Sequence, residues 1–504
     1  MLNTESRFGG NRQMPVELPF VVIRVSELFD LGTSQGGLDF VDVDVTGDTP
    51  VYIEPLAIRT QHGEWSDSCV GLLQSYFESL LEAIRADDAR RIEALLVPTF
   101  EPNETHLGQS VGESKGRGLG RGRKADKLVA ALLGSRAVQS GLLTDLEETV
   151  LFVPGVGRDT ISDITTTVIR GPLIRYTQEA CTLYDIPMEQ QDSGMVWSAS
   201  KRQWEGTQLR LPRANGDKLL LVPRSIVRFE PMLDTHKYYR GYLRPYFENN
   251  ELDNPSSQLV SVLKNGRRKV HLGELDDLLG TTKPAIALNT EAFPRALSDY
   301  VKSVDFTTSP APTSTEYEGA QLSEEVDYLG LYESVKAISP GRPGASSYHR
   351  AVASLLSALF DGVLGNQHLE FPLHEGRKRL DIKYDNVASS GFFRWLSLHR
   401  QSAIVPVECK NYSTDPGNPE VDQLAMRLSP NRGQVGMMIC REINDRKILM
   451  QRQRDVLNDG HGFILVLDDS DLFTLAQFAE DNRYEPGPTR FSFPTLRAQF
   501  DQLT

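Results

Sequence analysis

The sequence predicts an α/β fold whose C-terminal part is a mixed sheet flanked by helices. Alternating or continuous apolar runs mark five strands, which are QHLEFPL, RLDIKYDN, AIVPVECKNY, VGMMICRE and GFILVLDD. Apolar residues at helical spacing mark three helices, which are SYHRAVASLLSALFDGVL, PEVDQLAMRLS and DRKILMQRQRDVL. Along the chain the order is helix, three strands, helix, strand, helix, strand, and this order favours a sheet with helices packed on its faces.

Two further features of this C-terminal part follow from local signals. The short HEGRK turn joins the first two strands, so we expect them to form a hairpin. The stretch GFFRWLSLHRQ is either a helix or an inserted loop.

The N-terminal region is α/β or α+β, with a topology that the sequence leaves undetermined. One long helical pattern, VGLLQSYFESLLEAIRADDARRIEALL, is predicted there. Strands are predicted on both sides of it, in FVVIRVSELF, GLDFVDVDV, PVYIEPLAI and KLLLVPRSIVRF.

The length of 504 residues favours two or three domains. A stretch rich in Ser, Thr, Pro and acidic residues, TTSPAPTSTEYEGAQLSEE, marks a linker. We therefore predict an N-terminal recognition or regulatory region at 1–305, a linker and connector helix at 306–344, and a C-terminal domain at 345–504.

The charge balance limits the classes of partner. The chain has 54 Lys and Arg against 68 Asp and Glu, a net charge of −14, so bulk charge would not hold it on nucleic acid. The four cysteines form no CxxC pair, so we expect reduced thiols and no zinc site. No run approaches the roughly 18 apolar residues of a membrane span. These observations predict a soluble cytoplasmic protein without a membrane partner.

Three charged residues interrupt the predicted strands. Asp381 lies in RLDIKYDN, and Glu408 and Lys410 are two positions apart in AIVPVECKNY. Side chains two apart on a strand share a face, so Glu408 and Lys410 point the same way while Cys409 points to the other. If the two strands pair, both carboxylates meet near Lys410, and a hard cation such as Mg²⁺ would relieve their repulsion.

This arrangement resembles the PD-(D/E)xK nuclease superfamily, which has the restriction-endonuclease-like fold. The resemblance covers about residues 346–467. It implies hydrolysis of phosphodiester bonds that depends on Mg²⁺, with Mn²⁺ as a substitute. It assigns Asp381 and Glu408 as metal ligands, the carbonyl of Cys409 as a further ligand, and Lys410 as the residue that positions the attacking water.

The chain departs from the fuller pattern of that superfamily at its first helix. Many members carry a metal-binding glutamate there, whereas this chain offers His349. Either His349 substitutes for it, or Glu333 or Glu370 reaches in, or one metal suffices. A helix-face histidine without a catalytic role is the remaining alternative.

Basic and polar residues elsewhere suggest contacts with nucleic acid. The glycine-rich run GESKGRGLGRGRK suits phosphate binding, although it lacks the GK[ST] ending of a P-loop and could also be a solvated loop. Its basic residues are Lys115, Arg117, Arg121, Arg123 and Lys124. Near the predicted active site, Lys383, Asn411 and Gln423 are further candidates. Gln423 shares a helix face with Arg427, and a solvated face is the alternative there.

The resemblance therefore predicts a metal-dependent endonuclease acting on DNA. By analogy within the superfamily, we expect a bacterial restriction or anti-phage defence effector. DNA is the expected partner, together with a homodimer and a partner ATPase or other activator. The alternative is a catalytically idle module with a nuclease-like fold that binds nucleic acid or a partner.

Overall fold

The structure is a computed structural model, and it describes residues 22–504 except 62, 97, 99–101, 109–129, 306–307, 370–381 and 431–432. None of the helices in the described part is both long and apolar enough to cross a membrane.

Strands of the described residues form one five-stranded sheet and several two-stranded ribbons. In chain order they are β1 (Tyr52–Ile53), β2 (Glu189–Ser198), β3 (Gln203–Leu211), β4 (Arg213–Ala214), β5 (Asp217–Lys218), β6 (Val227–Arg228), β7 (Val260–Val262), β8 (Arg268–Val270), β9 (Leu364–Leu369), β10 (Ile382–Asn386), β11 (Ile404–Lys410), β12 (Val435–Cys440) and β13 (Phe463–Leu467). The ribbons pair β1 with β6, β2 with β3, β4 with β5, and β7 with β8.

Helices make up most of the regular structure. In chain order they are α1 (Val25–Leu28), α2 (Pro55–Arg59), α3 (Glu64–Arg85), α4 (Ala89–Leu96), α5 (Arg136–Gln139), α6 (Thr149–Phe152), α7 (Arg158–Val168), α8 (Arg170–Tyr184), α9 (Thr235–Tyr238), α10 (Arg244–Asp253), α11 (Leu272–Leu279), α12 (Lys283–Ala292), α13 (Pro294–Ser303), α14 (Ser314–Gly319), α15 (Tyr328–Lys336), α16 (Ala345–Leu359), α17 (Gly391–His399), α18 (Asn418–Ala425), α19 (Arg446–Asn458), α20 (Asp469–Asp481), α21 (Gly487–Arg490) and α22 (Pro494–Leu503).

The five-stranded sheet has the order β13-β12-β11-β10-β9, so β11 is its central strand. β11 is antiparallel to β10 and parallel to β12. β9 and β10 form an antiparallel hairpin, and β12 and β13 are parallel. Each parallel step needs a crossover, and helices α18 and α19 supply the connections from β11 to β12 and from β12 to β13.

The two faces of this sheet are buried in separate apolar cores. One face contributes Val407, Cys409, Met437, Ile439 and Leu465 to the large core that α16 also joins. The other face contributes Met438, Cys440, Ile464 and Val466 to a smaller core with side chains of α18 and α19. Strands covered on both faces can be apolar at every position, which explains the continuous apolar runs VGMMIC and FILVL.

The predicted elements of the C-terminal part are confirmed. The structure has strands at the five predicted places, an antiparallel pairing of the first two, and the three helices, in the predicted order. The predicted HEGRK turn and the end of QHLEFPL lie outside the described residues. GFFRWLSLHRQ forms helix α17, so the helical alternative was the right one. Three further helices, α20 to α22, follow the last strand, and α20 and α22 pack on β13.

The strands predicted for the N-terminal region are mostly wrong. Part of FVVIRVSELF forms helix α1, and GLDFVDVDV contributes only isolated bridges such as Phe40 to Pro223. KLLLVPRSIVRF is buried as predicted, but only two-residue strands lie at its ends. Alternation of apolar and polar residues indicates which side chains are buried. A buried extended segment forms a β-strand only where a neighbouring segment hydrogen-bonds to its backbone. The long helical pattern is confirmed as α3 and α4.

The segment predicted as linker and connector, 306–344, contains helices α14 and α15. Their side chains Tyr317, Tyr328 and Val335 are buried in the large core. The domain boundaries stay a prediction, but the described part of this segment is packed between the N-terminal region and the sheet.

The N-terminal region covers the edge of the sheet that is formed by β9. The Asp39 carboxylate accepts hydrogen bonds from the Tyr176 hydroxyl at 2.8 Å and from the backbone N–H of Gln367 at 2.7 Å. Asn366 donates to Gln61 and, at 2.8 Å, to Asp385. An uncovered edge strand is a site for unwanted pairing, and these polar contacts close it.

A buried ion pair crosses the same interface. Arg224 of the N-terminal region contacts Asp361, whose side chain is 1% exposed, and Arg490 lies 3.3 Å from the same carboxylate. The Asp361 oxygen that faces Arg490 also accepts from the backbone N–H of Ser314 at 2.7 Å. A buried charge without a partner of opposite sign is costly. The packing of the N-terminal region against the C-terminal part therefore depends on the Arg224–Asp361 pair.

Asp361→Ala is expected to destabilise the protein by about 3–5 kcal/mol, since it leaves the buried Arg224 without its carboxylate. The matched control is Asp185→Asn, which breaks the exposed ion pair with Arg350 between the same regions, keeps a residue that tolerates the left-handed backbone there, and should cost at most about 1 kcal/mol. Urea denaturation of both variants measures the difference. Equal losses of stability in the two variants would show that the buried Asp361 pair contributes no more than the exposed pair.

Candidate active site

Glu408 and Lys410 lie on the central strand β11 and are fully buried. The ammonium of Lys410 contacts Oε1 of Glu408, so the two side chains share one face of the sheet, as the spacing predicts. Their strand partners Met438 and Cys440 belong to the smaller core, whereas Cys409 belongs to the larger one. On the side of β12 the charged pair therefore has apolar neighbours.

Arg427 contributes a second cation to this site. It lies just after α18, and its guanidinium donates to Oε2 of Glu408 at 3.1 Å. Its side chain is 17% exposed, so it is the outermost of the three. Each oxygen of Glu408 thus contacts a cation, and the three side chains together carry one net positive charge.

Burying the charges of this cluster carries a large desolvation cost. Desolvation of a buried ion pair often exceeds the attraction between its members, and apolar residues of similar volume are frequently as stable. The net positive charge also suits an anionic ligand or a further carboxylate.

Strand β10 adds residues on the same face. Lys383 is paired with Pro406 and Asp385 with Ile404, so both share the face of Glu408. Lys383 is half-buried. Asp385 is buried, and its carboxylate lies against Gly63, which precedes helix α3. Asp385 therefore belongs to the interface with the N-terminal region.

Asp381 lies outside the described residues. It directly precedes Ile382 in the sequence, and Ile382 is paired with Val407, the neighbour of Glu408. The predicted meeting of the Asp381 and Glu408 carboxylates stays a prediction.

Cys409 presents its backbone to His349. The carbonyl of Cys409 accepts a hydrogen bond from Nε2 of His349 at 3.2 Å, so this nitrogen carries a proton. Burial raises the pKa of the Cys409 thiol far above its usual range, with Glu408 adding to the increase and Lys410 opposing it, so the sulfur stays neutral. Only the carbonyl oxygen of Cys409 is suited to a hard cation. The protonated nitrogen of His349 is not a metal ligand in this state.

Asn411 and Gln423 differ in whether their side chains are already hydrogen-bonded within the chain. The Asn411 amide donates to the carbonyls of Ser339 and Gly341, both at 3.1 Å, so its N–H groups are engaged within the chain. This holds the turn before α16 against the end of β11. Gln423 is half-buried on α18, one turn before Arg427.

Sequence reasoning did not identify Glu420 as part of this site. Burial raises its pKa, but hydrogen bonds from its own backbone N–H, the Tyr412 hydroxyl and the Gly417 N–H, and the charge of Lys410, lower it by more. Glu420 is thus held ionised near Lys410. Its position as the third residue of α18 was visible in the sequence, but the glycine before that helix hides the usual capping signature.

The remaining candidates lie elsewhere. The Glu333 side chain is 64% exposed and 3.9 Å from Lys336 on α15, so it faces solvent. Outside the described residues lie Glu370 and the basic run, namely Lys115, Arg117, Arg121, Arg123 and Lys124. Within the described ranges, no three His, Cys, Asp or Glu side chains are close enough together to hold a metal ion.

Comparison with known proteins yields one match. A family model described as a domain of unknown function (DUF8370) matches residues 30–234, which lie entirely within the N-terminal region. No curated protein matches the chain. No solved structure matches it either. The matched range includes Asp39 and Arg224, which contact the sheet, and excludes Glu408, Lys410 and Arg427.

Proposed function

We propose that this chain is a metal-dependent nuclease that hydrolyses phosphodiester bonds of DNA, with a restriction-endonuclease-like C-terminal domain. The observation that supports it most is the Glu408–Lys410 pair on the central strand of a five-stranded mixed sheet, next to the strand that Asp381 precedes. The proposed role in defence against foreign DNA, with a homodimer and an activator, rests on the resemblance alone.

The donor set fits a hard divalent cation. Carboxylates of Asp381 and Glu408 and the carbonyl of Cys409 are the oxygen ligands that Mg²⁺ or Mn²⁺ prefers. Each Glu408 oxygen keeps a lone pair beside its present cationic partner. When bound there, Mg²⁺ would polarise a phosphoryl oxygen and stabilise the charge on the leaving oxygen.

The side chains of the cluster then have separate tasks. Arg427 fixes the orientation of Glu408 through Oε2. With a cation sharing Glu408, Lys410 would be the residue that positions the attacking water. Glu420, which is held ionised, places a carboxylate charge near Lys410. Because Glu408 and Lys410 are fully buried, DNA requires an opening of the site.

The direct test is cleavage of supercoiled and linear DNA by the full chain with Mg²⁺, Mn²⁺ or EDTA. We expect nicking or linearisation with either metal, none with EDTA, and none for Asp381→Ala. The control is Asp422→Ala, which removes an exposed carboxylate from α18 and should cut like the wild type. Cleavage by Asp381→Ala at the wild-type rate would rule out the proposed site.

A second candidate is an idle module that binds nucleic acid or a partner, and the complete burial of Glu408 and Lys410 favours it. A thermal melt separates the two. A cation that binds only the folded chain raises the melting midpoint, by an amount that grows with its concentration. No shift with Mg²⁺ or Mn²⁺, together with no cleavage, would favour the idle module.

A further inference from the structure

We propose that the hairpin of β7 and β8 is a contact surface for the sugar–phosphate backbone of duplex DNA. This inference deepens the proposed function, on which its choice of ligand rests. The hairpin lies outside the range matched by the family of unknown function and far along the chain from Glu408.

The charge of this segment contrasts with its surroundings. Residues 254–273 contain four Lys and Arg and no Asp or Glu, whereas the chain as a whole has a net charge of −14. The four are Lys264, Arg267, Arg268 and Lys269. A local concentration of cations on an acidic protein is the electrostatic feature expected of a surface that binds a polyanion.

The tip of the hairpin is a defined turn. The backbone N–H of Gly266 donates to the carbonyl of Leu263 at 2.8 Å, and that of Leu263 donates to the carbonyl of Arg267 at 2.8 Å. Gly266 has φ +79°, which a three-residue hairpin loop with a glycine bulge requires. The Asn265 side chain accepts from the Arg267 N–H at 3.1 Å. The cations at the tip are therefore carried on a preorganised backbone.

The base of the hairpin is anchored to the protein. Val270 is buried, and β8 packs against helix α10. Arg268 donates to the carbonyl of Asn254 at 2.7 Å, so this arginine contributes to the anchor. The ribbon thus projects from a fixed base, and its tip does not fold back.

The other three cations face solvent. Ser261 is paired with Lys269, so Lys269 and Arg267, two positions apart, share the face opposite Arg268. Lys264, Arg267 and Lys269 are exposed, as are the apolar side chains Val262 and Leu263. Among the described residues, none of these three cations forms an ion pair, whereas exposed Arg202 contacts Glu78 and Glu82.

The dimensions of the ribbon favour duplex DNA as the occupant. The major groove, about 12 Å wide, admits a two-stranded ribbon. Arg267 and Lys269 are spaced about 7 Å apart along the strand, which covers two successive phosphates of one DNA strand. Flexible lysine and arginine side chains at the tip and on one face can then reach the phosphates on the groove wall.

The test measures binding separately from cleavage. Fluorescence anisotropy with a labelled 30-base-pair duplex in EDTA gives the dissociation constant at several salt concentrations. For the triple variant Lys264→Ala, Arg267→Ala, Lys269→Ala we expect at least about tenfold weaker binding at low salt. Loss of three phosphate contacts should also reduce the slope of log K against log salt by about 2.7.

The control triple variant is Arg90→Ala, Lys302→Ala, Lys447→Ala, which removes the same charge from exposed positions on α4, α13 and α19. It should bind like the wild type. Equal weakening in both triple variants would overturn the hairpin proposal and indicate a diffuse charge effect. Unchanged binding by the hairpin variant would also overturn it.

Further outcomes separate this proposal from the nuclease itself. Hairpin-dependent binding without metal-dependent cleavage supports the hairpin and contradicts the nuclease. If the wild type cleaves DNA in a metal-dependent way and the hairpin variant binds and cuts as well as the wild type, the result supports the nuclease and contradicts the hairpin. No binding of the duplex by the wild type, or hairpin-dependent binding of single-stranded RNA or phosphatidylserine vesicles in its place, overturns duplex DNA as the occupant.

Discussion

Replacing Lys410 by methionine is expected to lower the rate of metal-dependent DNA cleavage by about 10³-fold or more. The ammonium is the group that we assign to the attacking water, and methionine cannot hold water in that position. Methionine has a similar length and is apolar, so it fits the buried space beside the smaller core. Arg427 remains to neutralise Glu408 in the variant.

Single-turnover cleavage under saturating enzyme measures this effect without interference from product release. The control is Lys447→Met, at an exposed position on α19, which should cut at the wild-type rate. Circular dichroism and anisotropy should show a folded Lys410→Met chain that binds duplex DNA normally. A cleavage rate within about threefold of the wild type would remove Lys410 from the mechanism.

The second large effect is on stability. Glu408→Ala is expected to lower the free energy of unfolding by about 3–5 kcal/mol, because it leaves two cations, Lys410 and Arg427, without the carboxylate between them. Adding Lys410→Met to this variant should restore part of the loss, since one uncompensated buried charge is removed. The two substitutions are therefore expected to be strongly non-additive.

Urea denaturation of the two single variants and the double variant gives these differences. The control is Glu442→Ala, which removes an exposed carboxylate after β12 and should change stability by less than about 0.5 kcal/mol. If Glu408→Ala costs less than about 1 kcal/mol, water reaches Lys410 and Arg427 once the carboxylate is gone, and the cluster is not a compensated buried network.

Both predictions concern the same three side chains but answer different questions. The stability experiment reports whether the cluster is a compensated buried network. The cleavage experiment reports whether that network carries chemistry. A destabilised Glu408→Ala chain together with an active Lys410→Met chain would favour the structural role alone.

The sequence predicted the C-terminal sheet well because its signals are local. Period-two alternation in IVPVECK and continuous apolar runs in β12 and β13 depend only on neighbouring residues and on burial of both faces. The same period placed Glu408 and Lys410 on one face, which the structure confirms. These features follow from the geometry of a strand whatever surrounds it.

In the N-terminal region such local signals were not sufficient to predict the strands. GLDFVDVDV alternates and is buried, yet it forms isolated bridges in place of a ladder. Its polar groups bind partners far away in sequence, as when Asp39 accepts from Tyr176 and Gln367. No local pattern encodes contacts between residues more than a hundred positions apart.

The amino-acid sequence was sufficient to predict the elements of the sheet and the shared face of Glu408 and Lys410, and it also contains the concentration of cations at 264–269. Packing of the folded chain places Arg427 in the cluster, His349 against the Cys409 carbonyl, and Arg224 against Asp361. It also buries the Glu408–Lys410 pair and leaves the tip of the hairpin exposed. The physical reason is that periodicity follows from backbone geometry within one element, whereas burial and charge pairing depend on which elements meet.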